Sequence, residues 1–574
     1  MRIALVSHQW PAVRPGGIGT YTSEVAAALA AAGHDVHVFT LPFGLAAPPA
    51  APPGVTVHAV PGLAERVASG ALSAEDAAAL AGGEPAYRLT IARLLCDALR
   101  AVHARVGFGV VEFAEYEAHA WPLVADPPAD LPIVVHLHQG TAISRRHNRA
   151  AATGDDALLD GLEFATLLAA DGRTAPSQAV IRETESFGLT LPETAVIPQP
   201  VSPPAAVVPP PHDGPVLFLG RVQAIKGADR LAEALPAFLS ACPDATIRIA
   251  GADTRTAPDG GSTREWIESR LEPAERTRVS FAGALPRAGI WRELASSSFV
   301  VLPSRFESFG YTAAEALAAG RAVVVPCGTA LEELAGDAGA TFDPQRTGDL
   351  AGALITLWRD RGRIAALGER GRRRAVARLS PDAVAARRVE FYRSLSPRRD
   401  APRGARIAAL PPNCAAALRL LLTHGFPPRR SDAPPSPGER VVRALGDAPM
   451  AFWLYGTGWH THRLLGEVAR WRARGHALLG FLDDDPARIG RRWFGLPVIS
   501  PAALALGGEP DVGRAAVVLS SDSAESQLWS RSAALRAAGV RVMRLYGPDG
   551  EGSGVPATAG HSAVRPARKT AGCR

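Results

Sequence analysis

The sequence predicts an α/β protein made of two doubly wound domains followed by a third α/β unit. Three observations predict it. Short apolar runs alternate with helical stretches over the first 200 residues. A proline-rich break at Pro198–Pro211 interrupts them, and the alternation restarts beyond it and again near residue 448. Parallel strands need helical crossovers and cover on both faces, so repeated β–α alternation argues for this class.

In the first unit, Ile3–Ser7, Val36–Thr40, Val55–Val60, Val110–Phe113 and Ile133–His138 read as buried strands, and Ser23–Ala32, Tyr87–His103 and Asp155–Ala170 as helices. Pro198, Pro200, Pro203, Pro204, Pro209, Pro210 and Pro211 then fix φ and remove N–H donors, which marks a hinge. In the second unit, Val216–Gly220, Thr246–Ala250, Val279–Ala282, Phe299–Leu302 and Ala322–Val325 read as strands. Ala228–Ser240 and Thr312–Ala319 read as helices, and a last helix at about Pro381–Leu395 closes the unit. Residues 398–447, rich in Pro and Arg, read as a linker. The third unit, 448–547, opens with strand Ala451–Tyr455, continues with strand Ala477–Leu482 and includes the extended segment Phe494–Ser500. The Gly/Ala/Ser/Pro-rich tail 548–574 reads as disordered. The resulting division is 1–205, 206–380, a closing helix within 381–397, the linker, the third unit and the tail.

Hydrophobic residues make up 47% and charged residues 21% of 574, which fits a folded chain. The net charge of +6 is scattered rather than gathered on one face, which argues against a nucleic-acid partner. Cys96, Cys242, Cys327, Cys414 and Cys573 show no CxxC or CxxH spacing, so neither a disulfide framework nor a zinc site is indicated. The N-terminus reads as a strand rather than a signal peptide, and no run of 18 apolar residues occurs. A soluble cytoplasmic protein with at most peripheral membrane contact is expected.

Three motifs carry chemistry. Pro15-Gly16-Gly17-Ile18-Gly19-Thr20-Tyr21 follows the first strand and opens a helix, where free N–H groups favour an anion. Gly220-Arg221-Val-Gln-Ala-Ile-Lys226-Gly227 puts two cations at a strand's carboxyl end, where open α/β sheets bind ligands. Arg221 can fork onto two phosphate oxygens and Lys226 adds a mobile point charge. Only Lys226 and Lys569 among 62 basic residues are lysines, which gives Lys226 added weight. The third motif is Pro303-Ser-Arg-Phe-Glu307-Ser308-Phe309-Gly310-Tyr311-Thr-Ala-Ala-Glu315. Its helix start suits a diphosphate, and its two glutamates suit the vicinal hydroxyls of a sugar and a ribose.

Together these motifs resemble a retaining glycosyltransferase of family 4 with the GT-B fold, in which two doubly wound Rossmann-like domains face a cleft. The resemblance covers residues 1–397. It implies that Glu307 contacts the donor sugar, that Glu315 binds the ribose, and that Arg221 and Lys226 neutralise the leaving diphosphate. The donor-binding set it implies is Gly16, Gly17, Ser308, Phe309, Gly310, Tyr311 and Glu315. His138 matches a family histidine facing the transferred sugar. His136 competes, because residues two apart on a strand share a face. The helix near Pro381–Leu395 resembles a segment crossing back onto the N-terminal domain. A hexosyl-type transfer with retention is implied, with no metal and no cofactor beyond the nucleotide-sugar substrate. The acceptor would be a glycan, a lipid-linked sugar or a small molecule, as in polysaccharide biosynthesis. Glu115, Glu117 and His119 are candidates to contact it.

In the third unit, Gly456-Thr-Gly458-Trp-His-Thr461 is a degenerate dinucleotide fingerprint, with Asp483 where a ribose-binding acid would sit. The unit resembles Rossmann-like domains attached to sugar-modifying enzymes, so Gly456, Gly458 and Asp483 form a candidate nucleotide site beside a packing or regulatory role. His460 and His462 neighbour this turn without a third ligand, so no metal site is read there. A GT-B-like sugar-nucleotide epimerase and a non-catalytic nucleotide-sugar binding protein are the competing functions.

Overall fold

Five strand residues at the start of the chain explain the first sheet. Ile3, Ala4, Leu5 and Val6 follow Arg2 and are all buried, which requires a strand covered on both faces. This is β1 (Arg2–Val6). With β2 (Asp35–Thr40), β3 (Val55–Ala59), β4 (Val110–Ala114), β5 (Ile133–His136), β6 (Gly172–Ala175) and β7 (Ala195–Val196), it forms a seven-stranded sheet ordered β3-β2-β1-β4-β5-β6-β7. Every pairing in it is parallel.

The second sheet repeats the plan. It comprises β8 (Val216–Leu219), β9 (Ile247–Ala250), β10 (Val279–Gly283), β11 (Phe299–Val301), β12 (Ala322–Pro326) and β13 (Gly339–Phe342), ordered β10-β9-β8-β11-β12-β13 and parallel throughout. The strand order reverses at β1/β4 and at β8/β11, and the carboxyl ends beside such reversals are where ligands bind. Apolar clusters pack on both faces of the second sheet. The two sheets and their helices are Rossmann-like domains of the GT-B fold, and both lie in one compact unit, Met1–Ser431.

This computed structural model describes residues 1–10, 16–42, 50–69, 71, 73, 76, 84–148, 155–204, 207–254, 256–258, 260–397, 409–424, 437–457, 459–464, 467–486, 488–506, 515–521 and 525–546. Pro15, Gly458, Cys573 and the tail 548–574 lie outside them.

Helix Pro381–Ser394 joins the two domains. Ser380 accepts the N–H of Ala383, and Pro381 sits in the first turn, where its missing N–H costs nothing. Ala385, Val389 and Tyr392 enter the core of the first domain beside Ile3, Leu5 and Tyr21.

Several elements differ from the sequence reading. The first helix begins at Gly17 rather than Ser23, its first turn hidden in the sequence by the weak helix formers Gly17, Gly19 and Thr20. The strand read as Ile133–His138 ends at His136, which leaves His138 on the exit loop. Strands β6, β7 and β13 escaped notice. In β6, the buried Arg173 breaks the apolar run, its guanidinium bonded to the carbonyls of Leu167 and Ala170. The stretch 398–447 is not a plain linker. Pro412–His424 is a helix, and Gly161 of helix Asp156–Ala169 lets Cys414 approach until an added Cβ would stand 3.1 Å from its carbonyl oxygen. Pro437–Leu445 is a second helix, in the other unit.

That other unit, Asp432–Arg574, carries β14 (Ala451–Tyr455), β15 (Ala477–Leu482), β16 (Arg492–Trp493), β17 (Leu496–Ile499), β18 (Ala516–Leu519) and β19 (Val542–Met543). The order is β16-β17-β15-β14-β18-β19, with only the β16–β17 pair antiparallel. It is a third Rossmann-like sheet. Among the described residues, no helix is long and apolar enough to cross a membrane.

Candidate functional site

Helix Gly17–Ala31 starts just past the carboxyl end of β1. Gly16 is extended there, and a Cβ on it would stand 2.2 Å from Gln9 Oε1. Gln9 Oε1 also accepts the Gly19 N–H at 3.3 Å. Gly17 faces open space. Tyr21 and Glu24 lie four and seven residues on, so Gly17, Tyr21 and Glu24 share one helix face.

Tyr21 leads to the histidines. Its ring stacks on His136 at 4.4 Å and meets His138 edge-on at 4.7 Å. The His138 backbone N–H donates to Glu115 Oε2 at 2.6 Å. Gln199 Nε2 lies 3.5 Å from His138 Nδ1. His136 Nδ1 is 2.7 Å from Thr174 Oγ1 and its Nε2 3.5 Å from Gln199 Nε2, whereas His138 Nε2 is buried with no hydrogen-bond partner among the described residues. Burial, with the Arg388 charge, pushes His138 down to about 3, so the ring is neutral at physiological pH.

In the second domain, the loop after β8 and the loop after β11 are built against each other. Gly227 has φ 72°, and an added Cβ would stand 2.0 Å from the Pro303 carbonyl oxygen. Arg305 grips Asp229 with two bonds of 2.5 Å and donates its backbone N–H to Ile225. This docking brings Lys226 Nζ to 2.6 Å from Glu307 Oε1, which also accepts from Ser304 Oγ at 3.1 Å. Arg221 is exposed at the same edge and makes no ion pair among the described residues.

Gly310, at φ 92°, caps helix Tyr311–Ala318, and a Cβ there would strike Leu331 Cδ2 at 2.3 Å. Ser308 offers its carbonyl to Ser177 Oγ of the first domain at 2.7 Å. Phe309 is 3% exposed and belongs to the core. Tyr311 packs against apolar clusters of both domains. Glu315 has other partners than Glu307. Its carboxylate is buried 3.4 Å from Arg287 Nη1, and Arg287 also reaches Glu24 at 3.3 Å. Burial pushes Glu315 up to about 7, with Arg287 opposing and Glu24 adding.

Under the histidines lies a buried ion pair. Arg388 of the crossing helix donates to Glu112 Oε2 at 2.7 Å, Tyr392 OH donates to the same oxygen at 2.8 Å, and Tyr21 OH donates to Oε1. Burial opposes the Arg388 charge, but Glu112, Tyr21 and Tyr392 together outweigh it and hold the guanidinium above its usual range. Glu24, Arg287, Gln199 and the Glu112–Arg388 pair carry no motif, and only the helical spacing of Glu24 from Gly17 hinted at any of them.

In the third sheet, Asp483 turns inward. It accepts from the Thr457 N–H at 3.2 Å, from Thr457 Oγ1, from the Asp485 N–H at 2.9 Å and from Arg488 at 3.3 Å. Gly456 stands beside this turn at φ 109°.

Comparison with known proteins bears on the first unit. Residues 15–203 match the family described as Glycosyltransferase Family 4, and residues 214–360 match the family described as Glycosyl transferases group 1. The chain is 28% identical over 410 residues to glycogen synthase of Mycobacterium tuberculosis, spanning 67% of this chain and 91% of that protein. It is 27% identical over 442 residues to D-inositol 3-phosphate glycosyltransferase of Xylanimonas cellulosilytica, spanning 70% and 98%. Among solved structures, sucrose-phosphate synthase from Thermosynechococcus elongatus superposes with a TM-score of 0.52 at 22% identity, covering 68% of this chain and 98% of that one. Anabaena HepE in complex with UDP gives 0.50 at 17%, covering 69% and 100%. These likenesses show the fold.

Proposed function

We propose, from the premise that the chain is a glycosyltransferase of the GT-B fold, that it moves a hexosyl-type residue from a nucleotide sugar to a glycan, lipid-linked or small-molecule acceptor with retention at the anomeric carbon. The observation that carries the reading is the docking of two loops at the carboxyl edge of the second sheet, which joins Lys226 to Glu307 beside the exposed Arg221.

The donor diphosphate lies against Arg221, Lys226 and the N–H groups at the start of helix Tyr311–Ala318. Glu315 accepts the ribose hydroxyls and Glu307 those of the sugar. The neutral His138 ring offers Nε2 to a sugar hydroxyl. The bond from the anomeric carbon to the phosphate oxygen breaks while the acceptor oxygen bonds to the same face. The departing phosphate takes the acceptor's proton. The fixed cations stabilise the developing negative charge, so this step uses no metal at the diphosphate. The UDP held by Anabaena HepE makes UDP-sugars the first donors to try. The third sheet is assigned a packing or regulatory role.

The test is a panel of nucleotide sugars. A true donor at about 100 times its Kd raises stability by roughly 2.7 kcal/mol, and nucleoside diphosphate release then depends on added acceptor. Release of a changed sugar nucleotide without any acceptor identifies an epimerase instead.

A further inference from the structure

Three buried side chains converge at the carboxyl edges of β1 and β4. His8 lies just past β1, and Glu117 and His119 lie in the turn after β4. Their ligand atoms all fall within 4.8 Å of one another. Glu117 Oε2 is 3.5 Å from His119 Nε2 and 3.9 Å from His8 Nε2. None of the three is more than 9% exposed. The turn is shaped for this meeting. Glu117 and Ala118 hold φ of 64° and 51°, and Glu163 Oε1 accepts the Glu117 N–H at 2.9 Å.

We propose that His8, Glu117 and His119 bind a first-row divalent cation of the zinc type, with a coordination position left for water or an acceptor hydroxyl. Two imidazoles and one carboxylate form the donor set of zinc centres that keep an open position. Nitrogen ligands disfavour magnesium and calcium, which take oxygen. Ligands about 2.0–2.1 Å from a tetrahedral ion stand about 3.3 Å apart, so the 3.5 Å spacing is close to that and the wider pairs, up to 4.8 Å, draw in on binding. The surroundings are acidic. A Cβ on Gly140 would lie 2.8 Å from Glu163 and 3.8 Å from Glu115, and the buried Arg88 guanidinium also interacts with Glu117 and Glu163. Glu115 also holds the His138 N–H, so the ion would fix the turn that positions His138 without touching the diphosphate.

The experiment uses the full chain, stripped with a chelator, re-metallated with zinc and freed of excess. Metal analysis is expected to give about one zinc per chain that His119→Ala and Glu117→Gln remove, each with at least ~10-fold weaker binding in chelator competition. His212→Ala, an exposed histidine elsewhere, is expected to keep it. Because these variants can misfold, the unaltered chain is also titrated with cobalt(II), which is expected to give visible absorption bands of low coordination number. Only the faint spectrum of the hydrated ion, or zinc content unchanged in folded His119→Ala and Glu117→Gln, overturns the proposal.

Discussion

Lys226 and Glu307, 81 positions apart in the chain, meet at 2.6 Å between Nζ and Oε1. The contact exists because Gly227 admits the Pro303 carbonyl and Arg305 clasps Asp229. The pair is part-exposed, with side chains 27% and 17% accessible, so its worth to the fold is small. In the proposed mechanism its worth to the leaving diphosphate is larger, since a fixed cation beside developing charge acts where reorganisation has already been met.

Lys226→Ala should therefore lower kcat by about 10²–10³ while the thermal midpoint barely moves. Steady-state kinetics with a matched donor and a melting curve check both. A large fall in the midpoint with kinetics preserved in the surviving fold would assign Lys226 a structural role only.

Under the proposed donor site, Glu315 should make stability and donor binding depend on pH in opposite senses. Its folded value is about 7, against an ordinary 4.5. The folded chain thus keeps a proton that the unfolded chain releases, and the Glu315 contribution is full below about 4.5 and lost as pH rises toward 7. Glu163, held at about 7 by burial, acts in the same direction. Ribose hydroxyls need the carboxylate, so nucleotide affinity should rise across the pH range where stability falls. Glu315→Gln should flatten the affinity profile. Calorimetric titrations at several pH values check this, and a profile unchanged in the variant rejects the assignment.

Arg388→Met should destabilise the first unit by about 3–5 kcal/mol, because Glu112 is left buried without its counter-charge. Adding Glu112→Gln should recover part of the loss. Urea denaturation followed by tryptophan fluorescence reads this, Trp10 being buried in the same core.

Two glycines should behave differently. Gly227→Ala forces a Cβ against a backbone carbonyl at positive φ, at a cost of at least ~1–2 kcal/mol. Gly17→Ala meets nothing within 4 Å and should leave stability within ~0.5 kcal/mol, yet weaken donor binding where the ligand approaches the helix start. Denaturation and donor titration of both variants separate the effects.

The sequence showed the alternation of buried strands and helices because β12, and β1 beyond Arg2, are apolar on both faces. It missed β6 because a buried arginine satisfied by carbonyls looks polar in one dimension. It missed the helix Pro412–His424 because prolines and arginines around it resembled a linker. Within the site, the loop motifs were legible, being contiguous. Glu24, Arg287, Gln199 and Arg388 were not, because each acts through a contact made only by folding. Asp483 was legible as a strand-end acid, and its bonds to Thr457 and Asp485 tie it to the turn after β14 and to its own loop.

The most direct test is a crystal structure with a bound UDP-sugar. The account predicts the diphosphate within hydrogen-bond distance of Arg221 and Lys226, and the ribose hydroxyls on Glu315. A nucleotide seated elsewhere, as at Gly456 in the third sheet, with Arg221, Lys226 and Glu315 untouched, would contradict it.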